Sequence, residues 1–125
     1  MFRVIVAGSR GFNDLPYLSK ILGIAFEDKK PTSIVCGEAN GADRLGKIWA
    51  IKHGIPVDSF PANWSRYGKS AGFKRNAEMA DNADAVVVFW DGSSPGTRHM
   101  INIAVEKKLP VIVCNYKTKK IFKIG

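Results

Sequence analysis

Three observations predict an α/β fold built around a mainly parallel sheet. Four short runs, Arg3–Ala7, Thr32–Cys36, Ala85–Trp90 and Pro110–Cys114, are rich in β-branched and apolar residues, and each stops at Gly, Asn or Asp-Gly. Between them lie stretches in which apolar residues recur at three- and four-residue spacing. The two kinds of segment alternate along the chain. Apolar runs without a polar face suit strands buried on both sides, the environment of a parallel sheet covered by helices. Their alternation with helical stretches implies right-handed βαβ units.

The first strand, Arg3-Val4-Ile5-Val6-Ala7, ends at Gly8, and Leu15, Leu18, Leu22, Ala25 and Phe26 then share a helical face. Thr32–Cys36 ends at Gly37. In the helix after it, Ala42, Leu45, Ile48, Trp49 and Lys52 share a face, and Gly54 stands where a helix end favours a left-handed residue. Ile55–Phe60 is a weaker strand whose Pro56 suits a sheet edge. Ser70–Asp81 reads as a third helix. Ala85–Trp90 is the most hydrophobic strand, and Met100, Ile101, Ala104 and Val105 form the face of a fourth helix before the fifth strand, Pro110–Cys114. Five strands and four helices make a single Rossmann-like three-layer α/β/α sandwich with a mainly parallel five-stranded sheet. Residues 1–116 form this domain, and residues 117–125 are a further short strand or a basic tail.

Composition narrows the function classes. A chain of 125 residues is one domain, and 46% hydrophobic with 24% charged residues excludes a disordered chain. No apolar run approaches the roughly 20 residues of a membrane helix, so no membrane partner is expected. Met1–Gly8 lacks a basic stretch followed by a long apolar one, so a cytoplasmic location is expected. The net charge of +8 invites a nucleic-acid partner, but residues 107–125 hold six lysines and no acid, so the excess is mostly C-terminal. Cys36 and Cys114 end apolar runs without metal-ligand spacing and read as small buried residues. No metal site or cofactor is implied, and no Gly-x-Ser-x-Gly elbow or nucleophile–base pair is present.

Ligands of open α/β sheets sit at the carboxyl ends of the strands, so those loops carry the candidate chemistry. Gly8-Ser9-Arg10-Gly11 can bring its backbone close to a ligand, and Arg10 offers a planar cation for phosphate or carboxylate. In Gly37-Glu38-Ala39-Asn40-Gly41-Ala42-Asp43, Gly41 precedes a helix whose free N–H groups face the site. Asp43 falls in that helix's first turn, either as a capping carboxylate or as a ligand group. Glu38 is a candidate for holding sugar hydroxyls or acting as a base. Asn63–Asn76 combines Trp64 and Tyr67 with four cations, and its Arg75-Asn76 pair offers a cation beside an amide. Asp91-Gly92-Ser93-Ser94-Pro95-Gly96-Thr97 opens a helix and suits a phosphate cradle. His99 reads as a helix-surface residue and His53 as structural.

Taken in this order, Val6-Ala7-Gly8-Ser9-Arg10, Gly37–Asp43, Arg75-Asn76-Ala77-Glu78-Met79 and Gly92–Thr97 resemble the YspA-type members of the SLOG superfamily, over about residues 2–114. That superfamily includes the Lonely-Guy phosphoribohydrolases and DNA-processing protein A. The resemblance implies a Rossmann-like fold, a nucleotide or nucleotide-derived ligand, and a homodimer or larger assembly. The Lonely-Guy enzymes carry an Arg-Lys-x-x-Met helix, matched here by Arg75 and Met79 with Asn76 in place of the lysine. Their Pro-Gly-Gly-x-Gly-Thr-x-x-Glu loop is matched by Gly96 and Thr97, with Met100 at its acidic position. Glycosidic hydrolysis is therefore the alternative to ligand binding, with Glu38 and Arg75 as its catalytic candidates and Asp91 as another substitute acid. Single-stranded nucleic-acid binding through the basic C-terminus is the third reading.

Overall fold

The structure, a computed structural model, describes residues 1–125. Its strands are β1 (Arg3–Gly8), β2 (Ser33–Cys36), β3 (Val57–Ser59), β4 (Ala85–Trp90), β5 (Val111–Asn115) and β6 (Lys120–Ile124). Its helices are α1 (Leu15–Ala25), α2 (Ala42–Lys52), α3 (Trp64–Tyr67), α4 (Ala71–Asp81) and α5 (Pro95–Glu106). The sheet order is β3-β2-β1-β4-β5-β6. The first five strands pair in parallel, and β6 runs antiparallel to β5. β3 lies at the edge, where the proline before it predicts.

Side-chain alternation along β1 and β4 builds two cores. Val4, Val6, Val87 and Phe89 face Leu18, Ile21 and Leu22 of α1 and Trp49 and Ala50 of α2. Ile5, Ala7, Val86 and Val88 face Met79 and Ala80 of α4 and Met100 and Ala104 of α5. Each face of the central strands is thus covered, which is why their sequences carry no polar alternation. Leu18 and Leu22 are fully buried. Burial of each contributes roughly 1.5–3 kcal/mol. The Asp14 side chain caps α1 by accepting the Tyr17 N–H at 3.0 Å.

The sheet has six strands where the sequence reading counts five. Asn115 Oδ1 accepts the N–H groups of Lys117 and Thr118, and Lys119 takes a left-handed φ of 63°. This turn folds residues 120–124 back along β5, in register from Asn115 opposite Lys120 to Val111 opposite Ile124. The segment shows little strand character by itself because all its ladder partners come from β5. Every residue of β6 is exposed. The second addition is α3, with a 3₁₀ turn at Gly68–Ser70 after it. Asn63 caps α3 through the Arg66 N–H. Four residues are too few to leave a periodic signal. Cys36 and Cys114 are buried and free, and burial pushes both thiols up to about 11. No helix is long and apolar enough to cross a membrane.

Candidate functional site

From β1 the chain winds outward to β2 and β3, whereas β4 and β5 lie on the other side of β1. The order therefore reverses between β1 and β4, which opens a crevice at their carboxyl ends. A cavity of about 390 Å³ occupies this place. Its walls come from the β1–α1 loop (Gly8, Ser9, Arg10), the start of α2 (Asp43), α4 (Arg75, Asn76) and the start of α5 (Gly96, Thr97). These eight predicted site residues stand around one space. Gly37 and Glu38 line a second, adjoining cavity, which Arg10 and Arg75 also border. Gly41, Asp91, Gly92 and Ser93 line neither.

The β1–α1 loop is the hub of the site. The Ser9 N–H donates to Phe89 O at 2.9 Å, and Ser9 O accepts the Phe12 N–H at 3.2 Å. Ser9 Oγ accepts the Asp91 N–H at 3.0 Å and is hydrogen-bonded to the Ser94 hydroxyl at 2.9 Å. One buried serine thus ties β1 to the loop that opens α5. Gly8 permits this approach, since a Cβ there would stand 2.1 Å from Phe89 O.

Arg75 and Asn76 anchor the opposite wall. Arg75 Nη1 donates to Gly37 O, and Nε donates to Asn76 Oδ1 at 3.1 Å. Asn76 Nδ2 donates to Gly96 O at 3.2 Å and lies 3.2 Å from His99 Nδ1. The amide as donor makes Nδ1 the acceptor, so the imidazole carries its proton on Nε2. Burial lowers the His99 pKa, which keeps the ring neutral at neutral pH. His99 is therefore no free surface residue: it is half-buried and stacks on Phe73 with ring centroids 4.2 Å apart. Phe73 itself lines the cavity, a role the sequence reading does not single out. The signal available was its place two residues before Arg75 and close to one helical turn before Asn76.

The acidic candidates separate. Asp43 is buried in the cavity wall, and desolvation pushes its carboxyl up to about 6 despite the nearby Arg75 guanidinium and the N–H groups of Ala39, Gly8 and Gly37. A Cβ on Gly37 would stand 2.7 Å from Asp43 Oδ2 and 2.8 Å from Arg75 Nη1, so glycine lets the two groups converge there. The Glu38 carboxylate accepts from the Ser59 hydroxyl and from Lys47 Nζ at 3.1 Å, and these partners, Ser59 foremost, lower its pKa. Asp91 accepts the N–H groups of Ser93 and Ser94 at 2.9 and 2.8 Å and the Ser94 hydroxyl at 2.8 Å. These donors, led by the Ser93 N–H, pull it down to about 2. The loop opening α5 thus directs its serine N–H groups at its own aspartate. Of the predicted site residues, α5 brings Gly96 and Thr97 to the cavity, first-turn residues whose N–H groups have no acceptor within the helix.

Cation supply is uneven. None of the four ion pairs involves Arg10 or Arg75. Trp64 stands 52% exposed and Phe73 49% exposed beside them, so flat apolar surface and positive charge share one rim. No group of three or more His, Cys, Asp or Glu residues is placed to hold a metal ion.

Known proteins resemble this chain in sequence or fold. The family model described as "YspA, cpYpsA-related SLOG family" matches residues 2–67, more than half of the chain. The chain belongs to this SLOG family. Gene 61 protein of Mycobacterium phage D29 is 35% identical over 120 residues, covering 90% of this chain and 95% of that protein. DNA processing protein A from Streptococcus pneumoniae shares the fold at a TM-score of 0.70, with 18% sequence identity. The match covers 90% of the present chain and 49% of the streptococcal one, so this SLOG domain spans about half of its structural neighbour. The family match takes in the β1–α1 loop and the Gly37–Asp43 segment. Arg75-Asn76 and the α5 loop lie beyond it and join the site through the fold.

Proposed function

We propose that this SLOG protein binds a nucleotide or nucleotide-derived phosphate ester in the cavity between β1 and β4. One observation carries the reading. Gly96 and Thr97, first-turn residues at the positive end of the α5 dipole, line a cavity with two arginines that form no ion pair. That combination suits a phosphate dianion: oriented backbone donors on one side and planar guanidinium groups on the other. Trp64 and Phe73 add exposed rings on which a base can stack. Gly8, Ser9 and Asn76 shape the floor, and Asp43 lies where it can accept hydrogen bonds from sugar hydroxyls. Isothermal titration with AMP, ADP-ribose and NAD tests the reading: saturable heat is expected, and silence at millimolar ligand overturns it. Native mass spectrometry of freshly purified protein reads any retained nucleotide and the expected homodimer together.

A second reading, hydrolysis of a nucleotide N-glycosidic bond, is favoured by the carboxyl of Asp43. It is the one acidic residue lining the main cavity, and about 6 is a serviceable value for a group exchanging protons near neutral pH. Met100, buried in the same wall, offers no carboxylate. Arg75 would stabilise developing charge, and Glu38, paired with Lys47, would act on sugar hydroxyls in the adjoining cavity. Release of ribose 5-phosphate from AMP, abolished in Asp43→Asn and retained in Glu38→Gln, is the expected pattern. Intact AMP after prolonged incubation leaves binding alone. Nucleic-acid binding, suggested by the name of the streptococcal DNA processing protein, would use the lysines around β6, none of which lines either cavity.

A further inference from the structure

The sheet has two outer edges, and they differ. β3 ends one side with three residues, and Pro56 and Pro61 flank it. Short length and nearby prolines are common protections of an edge strand. β6 ends the other side with five residues, Lys120–Ile124, and neither it nor the turn before it contains a proline. Only its inner side is paired, with β5. Along the outer side, alternate residues turn their backbone N–H and C=O groups to solvent, which is a template for one more strand.

The side chains of this edge are mixed. Opposed residues of an antiparallel pair share a face. Phe122 and Ile124 stand opposite Val113 and Val111, so they prolong the face that α4 and α5 cover. Ile121 stands opposite Cys114 and prolongs the other face. All three are exposed, Phe122 at 54%. Lys120 lies on the first face and Lys123 on the second, and neither forms an ion pair. Residues 107–125 contain no acid to answer them.

These features select the occupant. A nucleic-acid backbone offers phosphates to the lysines but no row of N–H groups for the outward C=O groups of β6. A second copy of β6 has a suitable backbone and the wrong charge. Paired about Phe122, it would set Lys123 diagonal to its own mate and add cations to a surface without acids. An extended acidic peptide supplies backbone donors and acceptors, apolar side chains and carboxylates together.

We propose that β6 is a docking edge, on which an acidic, extended segment of a partner protein adds a seventh strand to the sheet. The segment sets carboxylates opposite Lys120 and Lys123 and apolar side chains opposite Ile121, Phe122 and Ile124. No residue of β6 lines either cavity, so this surface is independent of the nucleotide reading.

The lysines are three residues apart, so the peptide Glu-Val-Val-Glu-Val-Val-Glu presents the required pattern in either strand direction. Blocked at both ends and fluorescently labelled, it is titrated with the full chain and read by anisotropy. It is expected to bind at least about tenfold more tightly than Lys-Val-Val-Lys-Val-Val-Lys. N-methylation of its third and sixth residues removes one N–H from each side of the strand and is expected to weaken it about tenfold. The double variant Lys120→Glu with Lys123→Glu is expected to exchange the preference between the two peptides, a reversal that a folding defect does not produce. Phe122→Thr is expected to weaken the acidic peptide about fivefold with an unchanged thermal melt. Equal binding of the acidic and basic peptides, equal binding of the methylated and parent peptides, or no saturation by about 1 mM protein overturns the proposal. Two further results overturn it by assigning the edge to another occupant. One is tighter binding of a short oligothymidylate that the double variant abolishes. The other is dimerisation, measured by analytical ultracentrifugation, that Phe122→Thr abolishes and the acidic peptide does not displace.

Discussion

Asp43 and Asp91 both lie between a parallel strand and the body of the helix after it, yet they reach opposite electrostatic states. Asp43 is 4% exposed and pushed up to about 6. Asp91 keeps contact with solvent, accepts two turn N–H groups and a hydroxyl, and falls to about 2. The residue type is the same and the local position similar. What differs is burial and how closely the turn's donors approach. The β4–α5 turn wraps around its aspartate, whereas the β2–α2 turn leaves Asp43 to desolvation, to Arg75 and to backbone donors at longer range. One carboxyl becomes a structural clamp, and the other is buried in the cavity wall with its pKa pushed up to about 6.

The strongest way to break this contrast is at the hub that serves both loops. Gly8→Ala places a Cβ 2.1 Å from Phe89 O and forces β1 and β4 apart beside Ser9. A stability loss of about 3 kcal/mol is expected from such overpacking, measured by urea denaturation. A loss within error would show that the strand ends yield freely.

Asp43→Asn is expected to act with the opposite sign. Asp43's folded pKa of about 6 lies above its ordinary 3.8, so the folded state holds its proton more tightly than the unfolded chain. Its contribution is fully present below about pH 4 and is lost as pH rises through about 6. The asparagine variant escapes that loss. It should be more stable than wild type by about 2–3 kcal/mol at pH 8 and nearly equal at pH 4. Paired urea titrations at the two pH values decide this, and a variant less stable at pH 8 would refute the burial argument.

Asp91→Ala sharpens the other half. Removing a carboxylate that holds a helix-opening turn should cost about 1 kcal/mol near neutral pH. Because Asp91's folded pKa lies below 3.8, its contribution is present above pH 3.8 and disappears as pH falls towards about 2. The gap between wild type and variant should therefore close on acidification, the reverse of the Asp43 trend. The smallest stability effect is expected for Arg10→Ala, within about 0.5 kcal/mol, because the side chain is exposed and has no ion-pair partner. AMP affinity should nonetheless fall about tenfold through loss of a charge-assisted contact. Calorimetry beside a thermal melt separates the two readouts.

Much of this molecule was legible before folding. The five parallel strands stand within a residue or two of their apolar patterns and the four long helices contain theirs, because both faces of β1 and β4 are covered and each helix has one buried stripe. The Gly8–Arg10 loop and the Arg75-Asn76 pair could be singled out because strand ends and helix-borne cations follow from the pattern. β6 was ambiguous because Lys120–Ile124 has no partner until Asn115 turns the chain. Phe73 was not singled out and His99 was read as a helix-surface residue because their stacking joins α4 to α5, and neither helix shows it alone.

Sequence alone determined the layered α/β architecture and which loops gather at the carboxyl ends of its strands, since periodicity and strand-end geometry are local properties. Only the tertiary structure decided which acid faces the cavity. In one dimension Glu38 reads as the catalytic candidate, Asp91 as a substitute acid and Asp43 as a capping carboxylate or ligand group. Water exclusion by α2, the donors of the β4–α5 turn and the reach of Lys47 come from different parts of the chain, and together they set each carboxyl's charge.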